Sequence, residues 1–96
     1  MITVTRFTAM WCAPCRMVAP VLNQLEGEFP DVAFNTVNTE DHPELVAADG
    51  VMSIPCVIVK NDGKTVGRIT GGAKKETYRN LIQEAINEST KVALTR

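Results

Sequence analysis

Apolar and polar residues are arranged along this chain in a pattern that predicts seven elements of secondary structure. Short segments rich in β-branched and apolar residues predict four strands, at residues 3–8, 32–37, 55–59 and 64–70. Apolar residues that recur every three or four positions predict three helices, at residues 14–29, 44–48 and 74–88. The elements therefore follow the order β-α-β-α-β-β-α.

Residues that interrupt regular structure support these bounds. Pro14 suits the first turn of a helix, where a backbone N–H has no helical partner. Asp41 is a candidate cap for the short second helix, and Asn61-Asp62-Gly63 has the composition of a hairpin turn. Pro20 lies inside the first helix, where we expect it to cause a kink.

The order of the elements predicts the fold class. Two strand–helix–strand units imply parallel strand pairs, and the hairpin adds an antiparallel strand. These requirements are met by an α/β fold in which a mixed four-stranded sheet has helices on both faces. A chain of 96 residues fits one domain, so we expect residues 1–96 to form a single unit.

Composition and charge exclude several classes of function. Ten basic and eleven acidic residues give a net charge of -1, and the two signs are mixed along the chain. Nucleic acid and membrane surfaces are therefore poor candidates for partners. The apolar runs are too short to cross a bilayer, and the first residues lack the pattern of a signal peptide.

The three cysteines point to redox chemistry or metal binding. Cys12 and Cys15 are separated by two residues at the predicted junction between a strand and a helix. An odd count with one close pair is unlike the disulfide framework of a secreted protein, so we expect a cytoplasmic protein. Backbone N–H groups at the helix start favour a thiolate at Cys12. We expect an exposed Cys12 to attack a substrate disulfide and a more sheltered Cys15 to resolve the mixed disulfide.

A structural zinc site is the alternative explanation of the pair. Cys56 and His42 could complete a set of four ligands with Cys12 and Cys15. Cysteines that bind zinc usually lie on turns, whereas this pair opens a long apolar helix. We therefore expect no metal site.

The residues around the pair resemble the thioredoxin family. Trp11-Cys12-Ala13-Pro14-Cys15 and the following residues to Pro20 are similar to the active-site helix of that family. Ser53-Ile54-Pro55 resembles its cis-proline loop, and Gly71 resembles the glycine that closes its substrate groove. The resemblance extends over nearly the whole chain and implies a thioredoxin-like fold.

The resemblance also implies roles for individual residues. Cys12 would be the nucleophile, and Cys15 would be the resolving thiol. Pro55 would form a cis peptide bond and pack against the disulfide. The residues that would contact a substrate are Trp11, Ala13, Pro14, Ile54, Pro55 and Gly71.

The chain also departs from the family in ways that affect the site. It lacks the usual first strand and helix, so residues 3–8 match the second strand of a thioredoxin. The buried acid of that strand is replaced by Arg6, its lysine partner by Thr36, and a tryptophan by Thr8. Since a guanidinium stays protonated, Arg6 cannot act as a general base. We expect the absent helix to leave Arg6 in solvent.

Together these features predict a thiol–disulfide oxidoreductase that reduces disulfides in partner proteins. The resemblance implies that the protein has no bound cofactor and takes electrons from NADPH through a separate flavoprotein reductase. We expect a monomer. The alternatives are a glutaredoxin-like enzyme that uses glutathione, a non-catalytic binding subunit, and a protein that works as an oxidase or isomerase. Cys56 is either a small buried hydrophobe or a third reactive thiol.

Overall fold

The computed structural model describes the backbone of residues 1–94 and the side chains of residues 1–90. Its elements follow the predicted order. The strands are β1 (Ile2–Thr8), β2 (Ala33–Asn38), β3 (Cys56–Asn61) and β4 (Lys64–Thr70). The helices are α1 (Ala13–Glu28), α2 (Pro43–Ala48) and α3 (Lys75–Leu94).

The four strands form one mixed sheet in the order β2-β1-β3-β4. Strands β1 and β2 are parallel, and β3 is antiparallel to both β1 and β4. The β3–β4 turn contains Asp62 and Gly63 at φ values of 50° and 86°. These left-handed conformations are the ones that Asp and Gly tolerate in tight hairpin turns, which explains the turn signal in the sequence.

Alternation along the strands divides the core between the two faces of the sheet. On one face, Val4, Val57 and Val59 pack against side chains of α1 and α3, including Leu22 and Ile82. These residues are almost fully buried, and each such side chain contributes roughly 1.5–3 kcal/mol of apolar transfer free energy. This larger cluster fixes α1 on the sheet, and thus the position of the cysteines at the start of α1.

The opposite face carries a smaller core. Phe7, Val37 and Ile58 form a buried cluster there, and Val46 of α2 packs against it. Helices therefore cover both faces of the sheet, as the sequence predicts. Nevertheless α2 has only six residues and no fully buried one, so much of this face has no helix above it.

The uncovered part of this face carries both polar and apolar side chains. A cavity of about 320 Å³ opens there, and its lining includes the polar residues Thr3, Thr5, Asn35 and Lys60 and the apolar residues Phe7, Val37 and Leu45. The polar side chains at these strand positions can remain hydrated although no helix of the described residues lies above them.

The sequence leaves open whether the tail after Ser89 continues the last helix or frays. In the structure α3 continues to Leu94, since residues 89–94 contain neither glycine nor proline to stop it. His42 rather than Asp41 precedes α2 as its capping residue, and its side chain makes no capping hydrogen bond. Helix α1 continues through Pro20 as one helix. None of the described helices is long and apolar enough to span a membrane.

Candidate active site

The cysteine pair lies where the chain leaves the sheet and enters α1. Cys12 is the capping residue of α1, with extended backbone dihedrals, and Pro14 lies in the first turn. The backbone N–H of Cys15 donates a hydrogen bond to Cys12 Sγ over 3.2 Å. The sulfur thus accepts the hydrogen bond that the side chain of a serine or aspartate accepts when it caps a helix. The helix dipole favours a negative charge on this sulfur.

Cys12 and Cys15 are joined in a disulfide, with a Cα–Cα distance of 5.3 Å. The prediction that Cys12 is exposed is wrong for this oxidised form, because only 3 % of Cys12 and 1 % of Cys15 are accessible. Both residues form one buried cluster with Ala9, and Ile54 packs against it.

The loop before β3 lies beside the disulfide. The Ile54–Pro55 peptide bond is cis, as the family resemblance implies. Ile54 packs on the cysteine cluster, and Pro55 is fully buried. Gly71 joins this group because its N–H donates a hydrogen bond to the Pro55 carbonyl over 2.8 Å. Gly71 has a φ of 84°, a conformation that a residue with a Cβ adopts only with strain.

The remaining predicted contact residues lie on the outer surface of the site. Ala13 and Pro14 are exposed at the start of α1, and 67 % of Trp11 is accessible. Trp11 also forms one wall of a cavity of about 380 Å³. The structure thus brings all eight predicted site residues to one end of the sheet, in three groups that are distant in sequence: residues 11–15, residues 54–55 and Gly71.

Sequence reasoning missed several residues that line this cavity. They are Thr39, Val46, Val51, Met52 and Ser53. No motif marks them, because their placement beside Trp11 depends on how α2 packs on the sheet. The one available signal was the position of Met52 and Ser53 directly before Ile54.

Comparison with known proteins decides the family. The protein-family model described as Thioredoxin matches residues 1–84. The chain belongs to the thioredoxin family. It is 44 % identical over 78 residues to the thioredoxin of Chlamydia caviae, covering 81 % of this chain and 76 % of that one. It is 37 % identical over 86 residues to the thioredoxin of Listeria monocytogenes, covering 88 % of this chain and 84 % of that one.

Solved structures agree with this assignment. The crystal structure of thioredoxin from Trypanosoma brucei brucei superposes with a TM-score of 0.83 at 31 % identity, covering 91 % of this chain and 76 % of that one. Family membership, together with a cysteine pair at disulfide distance, makes this thioredoxin-family protein a thiol–disulfide oxidoreductase.

Arg6 departs from the expectation that it would lie in solvent on the face left open by the absent helix. The prediction is wrong about the face, because strand alternation places Arg6 on the same face as Val4, which packs against α1 and α3. Arg6 is half-buried, and Nη2 donates a hydrogen bond to Thr36 Oγ1 over 3.1 Å. Partial burial lowers the pKa of the guanidinium, which nevertheless stays charged at neutral pH.

The zinc alternative finds no support in the geometry. Among the residues that the structure describes, no group of three or more His, Cys, Asp or Glu side chains could hold a metal ion. Cys56 is a free, buried thiol whose Sγ lies 4.0 Å from Thr70 Oγ1. It packs with Phe7 and Ile58 in the core beneath α2, apart from the cluster that contains the disulfide.

Proposed function

We propose that Cys12 and Cys15 perform the reaction and that its working direction is reduction of disulfides in partner proteins. In the dithiol form, the Cys12 thiolate attacks one sulfur of a substrate disulfide and forms a mixed disulfide. The other substrate sulfur leaves as a thiolate and takes a proton from water. Cys15 then loses its proton and attacks Cys12 Sγ, which releases the second substrate sulfur. The substrate gains two electrons, and the protein is left with the Cys12–Cys15 disulfide.

The observation that carries this proposal is the position of Cys12 Sγ at the N-terminus of α1. There the sulfur accepts the Cys15 N–H, and the helix dipole stabilises the thiolate form that nucleophilic attack requires. The first turn of α1 also holds Cys15 within bonding distance of Cys12. The second step therefore needs little movement of the backbone, which favours resolution over accumulation of the mixed disulfide.

The substrate contacts of this proposal are the residues that surround the pair. Trp11, Ala13 and Pro14 offer an exposed surface on the side of α1. Ile54, Pro55 and Gly71 form the facing side, where an extended substrate segment would run past Ile54. The hydrogen bond from Gly71 to Pro55 ties the two parts of that facing side together.

We propose that the electrons for this reaction come from NADPH and reach the protein through a separate flavoprotein reductase. No cofactor is needed for exchange between two thiols and a disulfide, since the cysteines carry both electrons. We also propose that residues 1–96 act as a single monomeric domain in the cytoplasm, where they would take part in electron transport and redox homeostasis. The close cysteine pair and the buried third thiol suit a reducing compartment.

The test is turnover of an insulin disulfide with NADPH and thioredoxin reductase, compared with glutathione and glutathione reductase. We expect steady NADPH consumption in the first system only. Cys12→Ser should abolish turnover, and Cys15→Ser should trap the mixed disulfide, which mass spectrometry detects as a covalent adduct. Faster turnover with glutathione would favour the glutaredoxin-like alternative. An activity that survives replacement of both cysteines by serine would indicate a binding subunit instead.

A further inference from the structure

Strand β2 forms an open edge of the sheet. In the strand order β2-β1-β3-β4 it pairs with β1 on one side, and no described strand lies on its other side. The outward N–H and C=O groups of such an edge can form hydrogen bonds with a strand from another chain. Asn35 and Thr36, at the centre of β2, are exposed, so the described residues leave the middle of this edge accessible.

The two edges of the sheet differ in how they are protected. The β4 edge carries the cations Lys64 and Arg68, and its pairing with β3 shifts in register between Val59 and Lys60. Charged side chains and register shifts of this kind discourage the addition of a further strand. In contrast, β2 pairs with β1 in continuous register over six residues and contains no charged residue, glycine or proline. The β2 edge is therefore the one that can accept an added strand.

Acidic residues flank the β2 edge at both ends. Asp31 lies two residues before β2, and Glu40 and Asp41 follow its last residue by two and three positions. All three carboxylates are exposed, and none forms a salt bridge with the described residues. Near the middle of the edge, the Arg6 guanidinium donates a hydrogen bond to the Thr36 hydroxyl. The edge therefore presents negative charge at its two ends and a cation near its centre.

This charge pattern disfavours a second copy of the chain as the occupant of the edge. If two β2 strands paired antiparallel, Asp31 of each copy would approach Glu40 and Asp41 of the other copy. If they paired parallel, each acidic residue would approach its own counterpart. Like charges placed opposite one another destabilise strand pairing, whereas opposite charges stabilise it. The complementary occupant is therefore a strand with basic residues at both ends.

We propose that the β2 edge binds an extended segment of a partner protein that has six uncharged residues and a lysine or arginine beyond each end. The segment adds a fifth strand to the sheet. Six extended residues span about 20 Å, so the basic residues lie beside Asp31 at one end and Glu40 at the other in either strand direction. An uncharged centre avoids repulsion from Arg6. Main-chain hydrogen bonds supply the affinity, and the flanking charges select the partner.

The experiment measures binding of synthetic cysteine-free peptides to the oxidised full chain. The first peptide has three Thr-Val repeats between two lysines at each end, and the second has glutamates in place of the lysines. The third is the lysine peptide with every central backbone nitrogen methylated. We expect the lysine peptide to shift the NMR amide signals of β2, and the other two peptides to bind about tenfold more weakly. Added salt should weaken binding of the lysine peptide.

Two sets of variants locate the site. Asn35→Lys places a cation at the centre of the β2 edge and should weaken binding of the lysine peptide about fivefold. Thr65→Lys is the matched control, because Thr65 is exposed on β4 and its replacement adds the same charge at the opposite edge. Its affinity should equal that of the parent protein. Asp31→Asn combined with Glu40→Gln should weaken the lysine peptide about fivefold and leave the glutamate peptide no weaker. All four side chains are exposed, so these replacements leave the core intact.

Several outcomes would overturn the proposal. They are absence of binding by the lysine peptide, equal affinity for the lysine and glutamate peptides, and full affinity of the methylated peptide. An equal loss in Asn35→Lys and Thr65→Lys would show a general charge effect instead of a site on β2. A dimer of the parent protein in sedimentation that Asn35→Lys dissociates would identify a second copy as the occupant. None of these results bears on disulfide reduction, because the peptides have no cysteine and no reductase is present.

Discussion

Lys60 Nζ lies 2.7 Å from Asp49 Oδ1, and this contact ties the C-terminal end of α2 to β3. Arg68 of β4 reinforces it, because Nη2 donates a hydrogen bond to the Asp49 carbonyl over 2.6 Å. Helix α2 has no fully buried residue, so these polar contacts hold it where the apolar core is thin. The position of α2 matters for the site, since Val46 lines the cavity beside Trp11.

The first prediction concerns this ion pair. Replacing Lys60 by Met should lower the free energy of unfolding by about 1 kcal/mol, because the pair is only partly exposed. Urea denaturation measures the loss, and hydrogen exchange should show faster opening of α2 than of β3. Asp49→Asn should have a similar effect, and the double variant should cost less than the sum of the two. Strict additivity of the two losses would mean that the side chains do not interact.

The second prediction concerns Arg6. Arg6 lies on the same face of β1 as Val4 and three residues before Ala9, which packs with the cysteines, so about 10 Å of extended chain separates Arg6 from Ala9. A positive charge at this range favours the Cys12 thiolate by on the order of 0.5 kcal/mol. Arg6→Ala should therefore slow alkylation of reduced Cys12 by iodoacetamide about twofold at pH 7 and low salt.

Arg79→Ala is the control for Arg6, since it removes an equal charge at the far end of α1, beside Glu28. In the Arg79→Ala variant, reduced Cys12 should be alkylated at the same rate as in the parent protein. If Arg6→Ala also leaves the rate unchanged, Arg6 is a structural residue that only holds Thr36, and the thiolate is stabilised by the helix start alone.

The third prediction is a pH dependence of stability between α1 and α3. Arg79 holds Glu28 in a bidentate contact with distances of 2.8 and 2.9 Å, and Lys75 lies 3.4 Å away. The Arg79 hydrogen bonds lower the pKa of Glu28 from 4.5 to about 2. Because this folded pKa is depressed, the stabilisation is fully present above pH 4.5 and disappears as the pH falls toward 2.

Urea midpoints measured between pH 6 and pH 2 test this contact. We expect the parent protein to lose stability through that interval and Glu28→Gln to lose less of it, since glutamine has no charge to protonate. Glu26→Gln is the control on the same helix, because Glu26 forms no salt bridge with the described residues. An identical pH slope in the parent and Glu28→Gln would show that the contact does not stabilise the fold.

The fourth prediction concerns Cys56. The thiol is 1 % exposed and packs with Phe7 and Ile58, so it acts as a small core residue. Cys56→Ala should cost about 1 kcal/mol of stability and leave disulfide reduction unchanged. Mass spectrometry of the protein under excess oxidant should find only the Cys12–Cys15 disulfide. A linkage that includes Cys56 would establish it as a third reactive thiol.

The sequence alone predicted much of this protein. Its apolar periodicity located all seven elements, because strand and helix repeats of two and 3.6 residues are local properties. The pair Cys12 and Cys15, preceded by Trp11 and placed at a helix start, predicted the redox chemistry for the same reason. Spacing within one helical turn is sufficient to bring two sulfurs together without any tertiary contact.

Tertiary structure decided how that pair is surrounded. The sequence could not show that Cys12 packs with Ala9 and Ile54 in the oxidised form, nor that Arg6 lies on the same face of β1 as Val4. Nothing in the sequence indicated that Val46 lines the same cavity as Trp11. Each of these facts depends on which strand face a helix covers and on contacts between residues distant in the chain, and packing determines those only after the sheet has assembled.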